Sequence, residues 1–242
     1  MSPRARAQED GTHERASAER HARPSVTVDV VILTILAERL EVLLVRRGAP
    51  PFLGAWALPG GFVHVTGGPT GQGESLDDAA RRELEEETGL EGARVFLEQL
   101  GAFGRPARDP RTRVITVAYY ALLRPELARS VKAGSDAADA RFVPVRDLDG
   151  EALAFDHREI VDAALARLAR DLDRAPVAFE LVPETFTIPE LRRVYEILTG
   201  EALDPGNFNR RFRRLLEAGV VEQVPGKRVT TARPARVFRF RR

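Results

Sequence analysis

The 242-residue chain reads as a mixed α/β unit followed by a smaller unit of helix–helix–hairpin order. Three observations carry that reading. Up to about residue 172, short β-branched apolar runs alternate with two amphipathic helical patterns. Beyond residue 184, two helical patterns precede two short strand patterns joined by a basic turn. Charge changes with architecture: from Pro205 to Arg242 eleven Lys and Arg face two acids, a net of +9, while the other 204 residues hold 26 bases and 34 acids, a net of −8. Such asymmetry describes either a unit built to meet a polyanion or a solvated basic tail.

Composition narrows the class. With 43% hydrophobic and 30% charged residues, the chain can bury a core. The absence of cysteine excludes a disulfide framework, a Cys-containing zinc site and a Cys nucleophile, and fits a reducing compartment. No apolar run approaches the ~20 residues of a membrane span, and the first twenty residues lack the apolar core of a signal peptide. The expectation is a soluble, cytoplasmic protein with no membrane partner. Residues 1–24, polar and aperiodic, are expected to form a disordered arm.

The elements follow in order. SVTVDVVILTIL (25–36) and LEVLLVRR (40–47) read as a strand hairpin. Pro50, Pro51 and Gly54 break the chain before Pro59-Gly60-Gly61. After the Gly-rich stretch 66–73, a helix is predicted over 75–88, with Ser75 and Asp78 at capping-box spacing and Gly89 at its end. Strands are predicted at 93–103, 113–123 and 141–145, and a helix at 157–172. The two-proline stretch 173–184 reads as a linker or a short extended segment. Helices at 188–198 and 207–218 and strands at 220–225 and 235–240 complete the second unit. The expected domains are 25–172 and 185–242.

The chemistry concentrates in the helix at 75–88. At ~100° per residue, Glu83, Glu86 and Glu87 share one face, beside an apolar stripe of Leu76, Ala80 and Leu84. Three carboxylates on one face call for a cation, and hard oxygen ligands select Mg²⁺ or Mn²⁺. A bare acidic face neutralised by Arg81 and Arg82 is the plain alternative. The wider pattern decides between them. Gly68-x5-Glu74-x7-Arg82-Glu83-Leu84-x-Glu86-Glu87-x-Gly89-Leu90 resembles the Nudix box at every defined position. The resemblance implies an α/β/α sandwich and metal-dependent hydrolysis of nucleoside diphosphates. It makes Glu83, Glu86 and Glu87 the metal ligands, with Glu86 and Glu87 also catalytic and Arg82 orienting the cluster.

One departure stands out. The family's first box glycine normally ends a Pro-Gly-Gly-like turn, here Pro59-Gly60-Gly61, and Gly61 lies 13 residues before Glu74. An insertion of about seven residues within HVTGGPTGQ accounts for this, and the backbone carbonyl that joins the metal shell would come from Gly60. The sequence lacks the Gly-Lys-Ser/Thr of a P-loop.

Arg105, Arg108, Arg111 and Arg113 crowd the loop between two strands and are candidate phosphate ligands, since arginine grips phosphate oxygens in pairs. Tyr120 is a candidate platform for a base, although strand aromatics also build cores. The family's general base often comes from a loop corresponding to 135–139, which nominates Asp136 or Asp139.

In the second unit, Phe208, Phe212 and Leu215 are spaced for a core, with Arg210, Arg211, Arg213 and Arg214 around the other faces. A basic helix followed by a basic hairpin is the order of a winged-helix DNA reader; docking on an acidic protein is the alternative. Asn207, Asn209, these four arginines, Lys227 and Arg228 are the candidate DNA contacts. From about Val26 onward the chain resembles the Nudix-related transcriptional regulators of bacterial NAD metabolism, the NrtR family. The matching features are Arg108-Asp109-Pro110-Arg111, Ala154-Phe155-Asp156-His157, Phe186-Thr187, Asn207-Phe208-Asn209-Arg210-Arg211 and Arg233-Pro234-Ala235-Arg236. That family implies a Nudix domain sensing ADP-ribose, a winged helix, and a homodimer on a palindromic double-stranded operator.

Overall fold

The computed structural model describes residues 23–67, 71–90, 95–131, 139–172, 177–229 and 234–241. Most of the expected arm, together with Gly68, Asp136 and Arg233, lies outside them. Among the described residues no helix is long and apolar enough to cross a membrane.

The first unit is an α/β/α sandwich around a seven-stranded sheet. Strand β1 (Ser25–Leu36) lies at its centre, antiparallel to β2 (Arg39–Arg46) and parallel to β6 (Val114–Leu122). Two short strands that sequence periodicity does not reveal, β3 (Trp56–Ala57) and β4 (Gly60–Phe62), pair with β2 and β1. Strand β5 (Phe96–Phe103) pairs with β6, and β7 (Ala140–Pro144) with β2. The period of two along β1 splits its side chains between the layers. Val28, Val30 and Ile32 pack under helix α1 (Leu76–Thr88), while Val31 and Leu33 face the opposite core. Helix α2 (Pro125–Ala128) is a single turn after β6, and α3 (His157–Asp171) covers the second face through Ile160, Val161, Ala164 and Leu168.

The second unit comprises α5 (Ile188–Thr199), α6 (Pro205–Glu217) and the hairpin β8 (Val221–Arg228) with β9 (Ala235–Phe240). Thr187 and Glu190 form a capping box on α5, and Asp204 caps α6. Phe186 adds an isolated antiparallel bridge to β9 through a reciprocal backbone pair with Phe238 at 2.8 Å.

The stretch expected to be a linker is different. Residues 177–182 are buried throughout and include a short helix, α4 (Val177–Glu180). Val177, Phe179, Leu181 and Val182 join a core that runs without interruption from α3 to Phe186, Phe208 and Phe212. Burial of each such side chain is worth about 1.5–3 kcal/mol, which outweighs the two prolines' signal for a loose connection. The two units therefore share one hydrophobic interior.

Candidate functional site

Helix α1 is held at both ends: Ser75 Oγ accepts the Asp78 N–H at 3.1 Å, and Gly89 closes the helix in the left-handed region at φ 67°. Ala79, Ala80 and Leu84 seat it on the sheet, and the same face buries Glu83. That carboxylate lies against the turn from β4. A Cβ on Gly61 would stand 2.3 Å from Glu83 Oε1, and one on Gly60 would stand 2.3 Å from the Val28 carbonyl. Gly60 therefore demands glycine against fixed backbone, while a side chain at Gly61 would have to displace the Glu83 carboxylate.

Arg82 organises the acids. Its guanidinium donates to both oxygens of Glu74 (2.8 and 3.0 Å), to Glu83 Oε1 (2.7 Å), to Glu86 Oε2 (3.1 Å) and to the Phe62 carbonyl (3.2 Å). Those bonds hold the Glu74 carboxyl at a pKa of about 2. Burial pushes Glu83 up instead, only partly offset by Arg82. Glu86 is exposed and Glu87 half-buried.

The insertion does not disturb this centre. His64 and Glu74 are joined twice, Glu74 N–H to the His64 carbonyl and His64 N–H to Glu74 Oε1, both at 2.9 Å. The Gly67 carbonyl then accepts the Gly73 N–H. The chain thus leaves His64 and returns at Glu74 with those two residues in contact. Among the described glycines it is Gly61, despite its distance in sequence, that closely approaches Glu83.

The donor set suits a hard divalent cation in its chemistry, since Glu83, Glu86 and Glu87 offer only carboxylate oxygens. Among the described residues, however, no group of three or more acidic or histidine side chains is already gathered around a metal position. Arg82 supplies the positive charge between Glu83 and Glu86.

The arginine loop is more internally engaged than its composition suggests. Arg108 is buried and ion-paired with Asp156 (2.7 Å) and Asp29 (3.2 Å), so it is an interior cross-link rather than an available phosphate ligand. His157 joins this cluster. Its Nδ1 accepts the Leu58 N–H at 2.8 Å, its Nε2 faces Asp29 at 3.5 Å, and burial lowers its pKa. Arg111 grips Asp109 with two nitrogens, lowering the Asp109 pKa, and Arg105 pairs with Glu159. Arg113 donates to the Gly104 carbonyl at 2.6 Å. Arg105, Arg111 and Arg113 remain exposed.

Tyr120 is likewise corrected. It is fully buried against Phe96 with its hydroxyl donating to Glu98 at 2.8 Å, so it is a core residue and no platform for a base. Asp139 is exposed at the start of β7, where its carbonyl accepts the Arg46 N–H.

Residues missed from sequence cluster beside this loop. Phe155 sits in the left-handed region at φ 54°, with Phe52 edge-on at 4.9 Å and the Arg47 guanidinium 4.7 Å from its ring. Phe62 lies under Arg111 at 5.9 Å, and Phe52 and Phe62 are each nearly half exposed. The only sequence signal for this grouping was the Ala154–His157 motif, which now has a structural reason.

On α6, Phe208 and Phe212 are buried while Asn207, Asn209, Arg210, Arg213 and Arg214 are exposed. Arg210 bonds to Asn207, and Arg211 lies over the Tyr195 ring at 4.4 Å. Lys227 is exposed, whereas Arg228 is turned inward onto Glu190 (2.6 and 2.8 Å) and the Thr185 carbonyl (2.8 Å). Arg228, expected as a free DNA contact, is instead half-buried and committed to Glu190 and Thr185.

Comparison with known proteins agrees with this geometry. Residues 26–164 match the NUDIX domain model and residues 178–240 the NrtR DNA-binding winged helix domain. The chain is 34% identical over 217 residues to the ADPR responsive transcriptional repressor NtrR of Acinetobacter baylyi, covering 90% of this chain and 82% of that protein. It is 37% identical over 141 residues to the ADP-ribose pyrophosphatase of Methanocaldococcus jannaschii, covering 58% and 73% of the two chains. The crystal structure of Shewanella oneidensis NrtR complexed with a 27mer DNA superposes with a TM-score of 0.77 at 33% identity, covering 89% of this chain and 93% of that one. The chain belongs to the Nudix family, in the branch that joins a Nudix domain to an NrtR winged helix.

Proposed function

We propose that this protein is a transcriptional repressor whose winged helix binds double-stranded DNA and whose Nudix domain senses ADP-ribose or a closely related nucleoside diphosphate. The observation that carries the reading is the uninterrupted core joining α3 to the winged helix, because it puts the Nudix site and the exposed Asn–Arg face of α6 on one folded body. Asn207, Asn209, Arg210, Arg213, Arg214 and Lys227 would meet DNA, with Arg211 at the margin. The resemblance noted in the sequence implies a homodimer on a palindromic operator, and we propose both.

In the Nudix site, Glu83, Glu86 and Glu87, with the Gly60 backbone, would hold Mg²⁺ or Mn²⁺. When bound, such an ion polarises phosphoryl oxygens and lowers the pKa of a bound water. Arg82 keeps Glu83 and Glu86 oriented, and Arg105, Arg111 and Arg113 are the exposed cations for a diphosphate. A second reading, residual hydrolysis, is favoured by the unbroken Arg82–Glu87 segment and by the pyrophosphatase relative. Glu86, Glu87, Asp136 and Asp139 are then the carboxylates available to take a proton from water.

One experiment tests both. Without metal, saturating ADP-ribose should lower affinity for a duplex selected by the protein roughly 5–150-fold, and DNA should weaken ADP-ribose binding equally. Equal DNA affinity with and without nucleotide overturns the sensor reading. With Mg²⁺ added, hydrolysis predicts AMP release by the wild type and none by Glu87→Gln.

A further inference from the structure

The wing of the second unit contains a register problem. Pairing between β8 and β9 is regular from Val221↔Phe240 to Val224↔Val237, slips at Pro225-Gly226, and resumes at Lys227↔Arg236 and Arg228↔Ala235. The resumed register sets two exposed cations directly opposite each other. Like charges so placed oppose pairing. Neither makes an ion pair among the described residues. Something else must hold the last two rungs in register.

Arg228 supplies the hold. Its Nη1 donates to both oxygens of Glu190 at 2.6 and 2.8 Å, and its Nη2 donates to the Thr185 carbonyl at 2.8 Å and to Thr185 Oγ1 at 3.1 Å. Glu190 is already fixed, because its Oε2 accepts the Thr187 N–H at 2.7 Å in the capping box of α5. The other wing strand reaches the same segment through the Phe186–Phe238 backbone pair. Helix α6 takes its position there too, with Phe212 packed edge-on against Phe238 at 4.7 Å and against Phe186 at 6.5 Å. Residues 185–190 are thus the common reference for both the wing and the helix. Between them lies a groove of about 500 Å³ whose walls include Asn209 and Arg213 on α6 and Arg236 on the wing.

We infer that Arg228 is a positioning residue for DNA recognition. Without touching DNA, it locks the wing to the N-terminus of α5, so that Lys227 and Arg236 stand at a set distance from Asn209 and Arg213. Two phosphate-seeking rows held in fixed register fit one backbone geometry. A loose wing still attracts phosphate but loses selectivity. The inference rests on the DNA-binding reading above.

The test uses the full chain, a duplex selected from a random pool by the wild type, and an unselected duplex of equal length. Arg228→Ala should weaken the selected duplex about tenfold, roughly the cost of one mismatched base pair. It should leave the unselected duplex within about twofold and keep the salt slope on it unchanged. Lys227→Ala and Arg236→Ala should instead weaken both duplexes and each lower the slope by ~0.9. Glu190→Gln, which retains an acceptor for the Thr187 N–H but removes the carboxylate that pairs with Arg228, should reproduce the Arg228→Ala pattern and keeps the test decisive where Arg228→Ala folds poorly. Arg228→Lys should recover part of the selectivity. An Arg228→Ala slope lowered by ~0.9 with equal loss on both duplexes overturns the inference, since Arg228 would then be a phosphate contact. Undiminished selectivity in Glu190→Gln overturns it as well. If the wild type enriches no duplex, the DNA-binding reading fails and takes this one with it. Selection by the wild type with a lowered Arg228→Ala slope sinks the positioning role alone.

Discussion

The arginine loop of the sandwich and the arginine helix of the winged unit look alike in sequence, each with four arginines in about nine residues or fewer. They differ in what surrounds them. Arg105, Arg108 and Arg111 each meet a carboxylate, Glu159, Asp156 with Asp29, and Asp109. On α6 the only acid within the helix is Glu217, and neither Arg213 nor Arg214 makes an ion pair among the described residues. The first set is largely self-neutralised and organises protein. In the second, Arg213 and Arg214 project exposed charge, the arrangement that gives salt-sensitive affinity for a polyanion. An arginine count therefore says little about anion binding until the acids facing it are known.

Three measurements would break or sharpen that contrast. The largest effect is expected at Arg108. Its removal strands Asp29 and Asp156 in the interior, so Arg108→Ala should lose about 3–5 kcal/mol in chemical denaturation. A loss under about 0.5 kcal/mol, typical of a surface site, would return Arg108 to the ligand set. Next comes the pH response of the same cluster. His157 is faced by Asp29, Arg108, Asp156 and Arg47, and burial is the leading cause of its lowered pKa. In acid the unfolded chain therefore binds this proton first. Its share of stability is complete above the unfolded value of ~6.5 and is lost as pH falls toward the folded one. His157→Gln should flatten that acid limb of the stability profile; an unchanged limb would show that His157 contributes nothing to it. The smallest effect is expected at Arg105. Its pair with Glu159 is exposed on both sides, and exposed pairs contribute about 0–1 kcal/mol. Arg105→Ala should leave the unfolding midpoint almost unmoved while weakening binding of a nucleoside diphosphate. A large stability loss would place Arg105 with Arg108 as an internal cross-link.

Much of the fold was legible because local rules suffice for it. The β-branched apolar run of β1, the capping residue Ser75 and the Phe208–Phe212 spacing each act within a few residues, and each element formed at its expected place. The short strands β3 and β4 were not legible, since two or three residues carry no period and only the pairing with β2 and β1 makes them strands. Helix α4 was misread for a related reason: two prolines within 173–184 outweighed the apolar run that follows the first of them.

By itself, the sequence determined which chemistry is present: the acidic helix with Arg82, the glycine pair, the basic second unit and the order of elements. Those features rest on residue identity and short spacing, which the chain carries wherever it folds. Tertiary structure alone decided which charges remain available. It brought Gly61 to Glu83, and it committed Arg108 to Asp29 and Asp156, 79 and 48 residues away. It also turned Arg228 inward onto Glu190, 38 residues earlier, while its neighbour Lys227 stayed exposed. The physical reason is that a charge's energy depends on its surroundings more than on its type. Only packing brings distant parts of the chain together to set those surroundings.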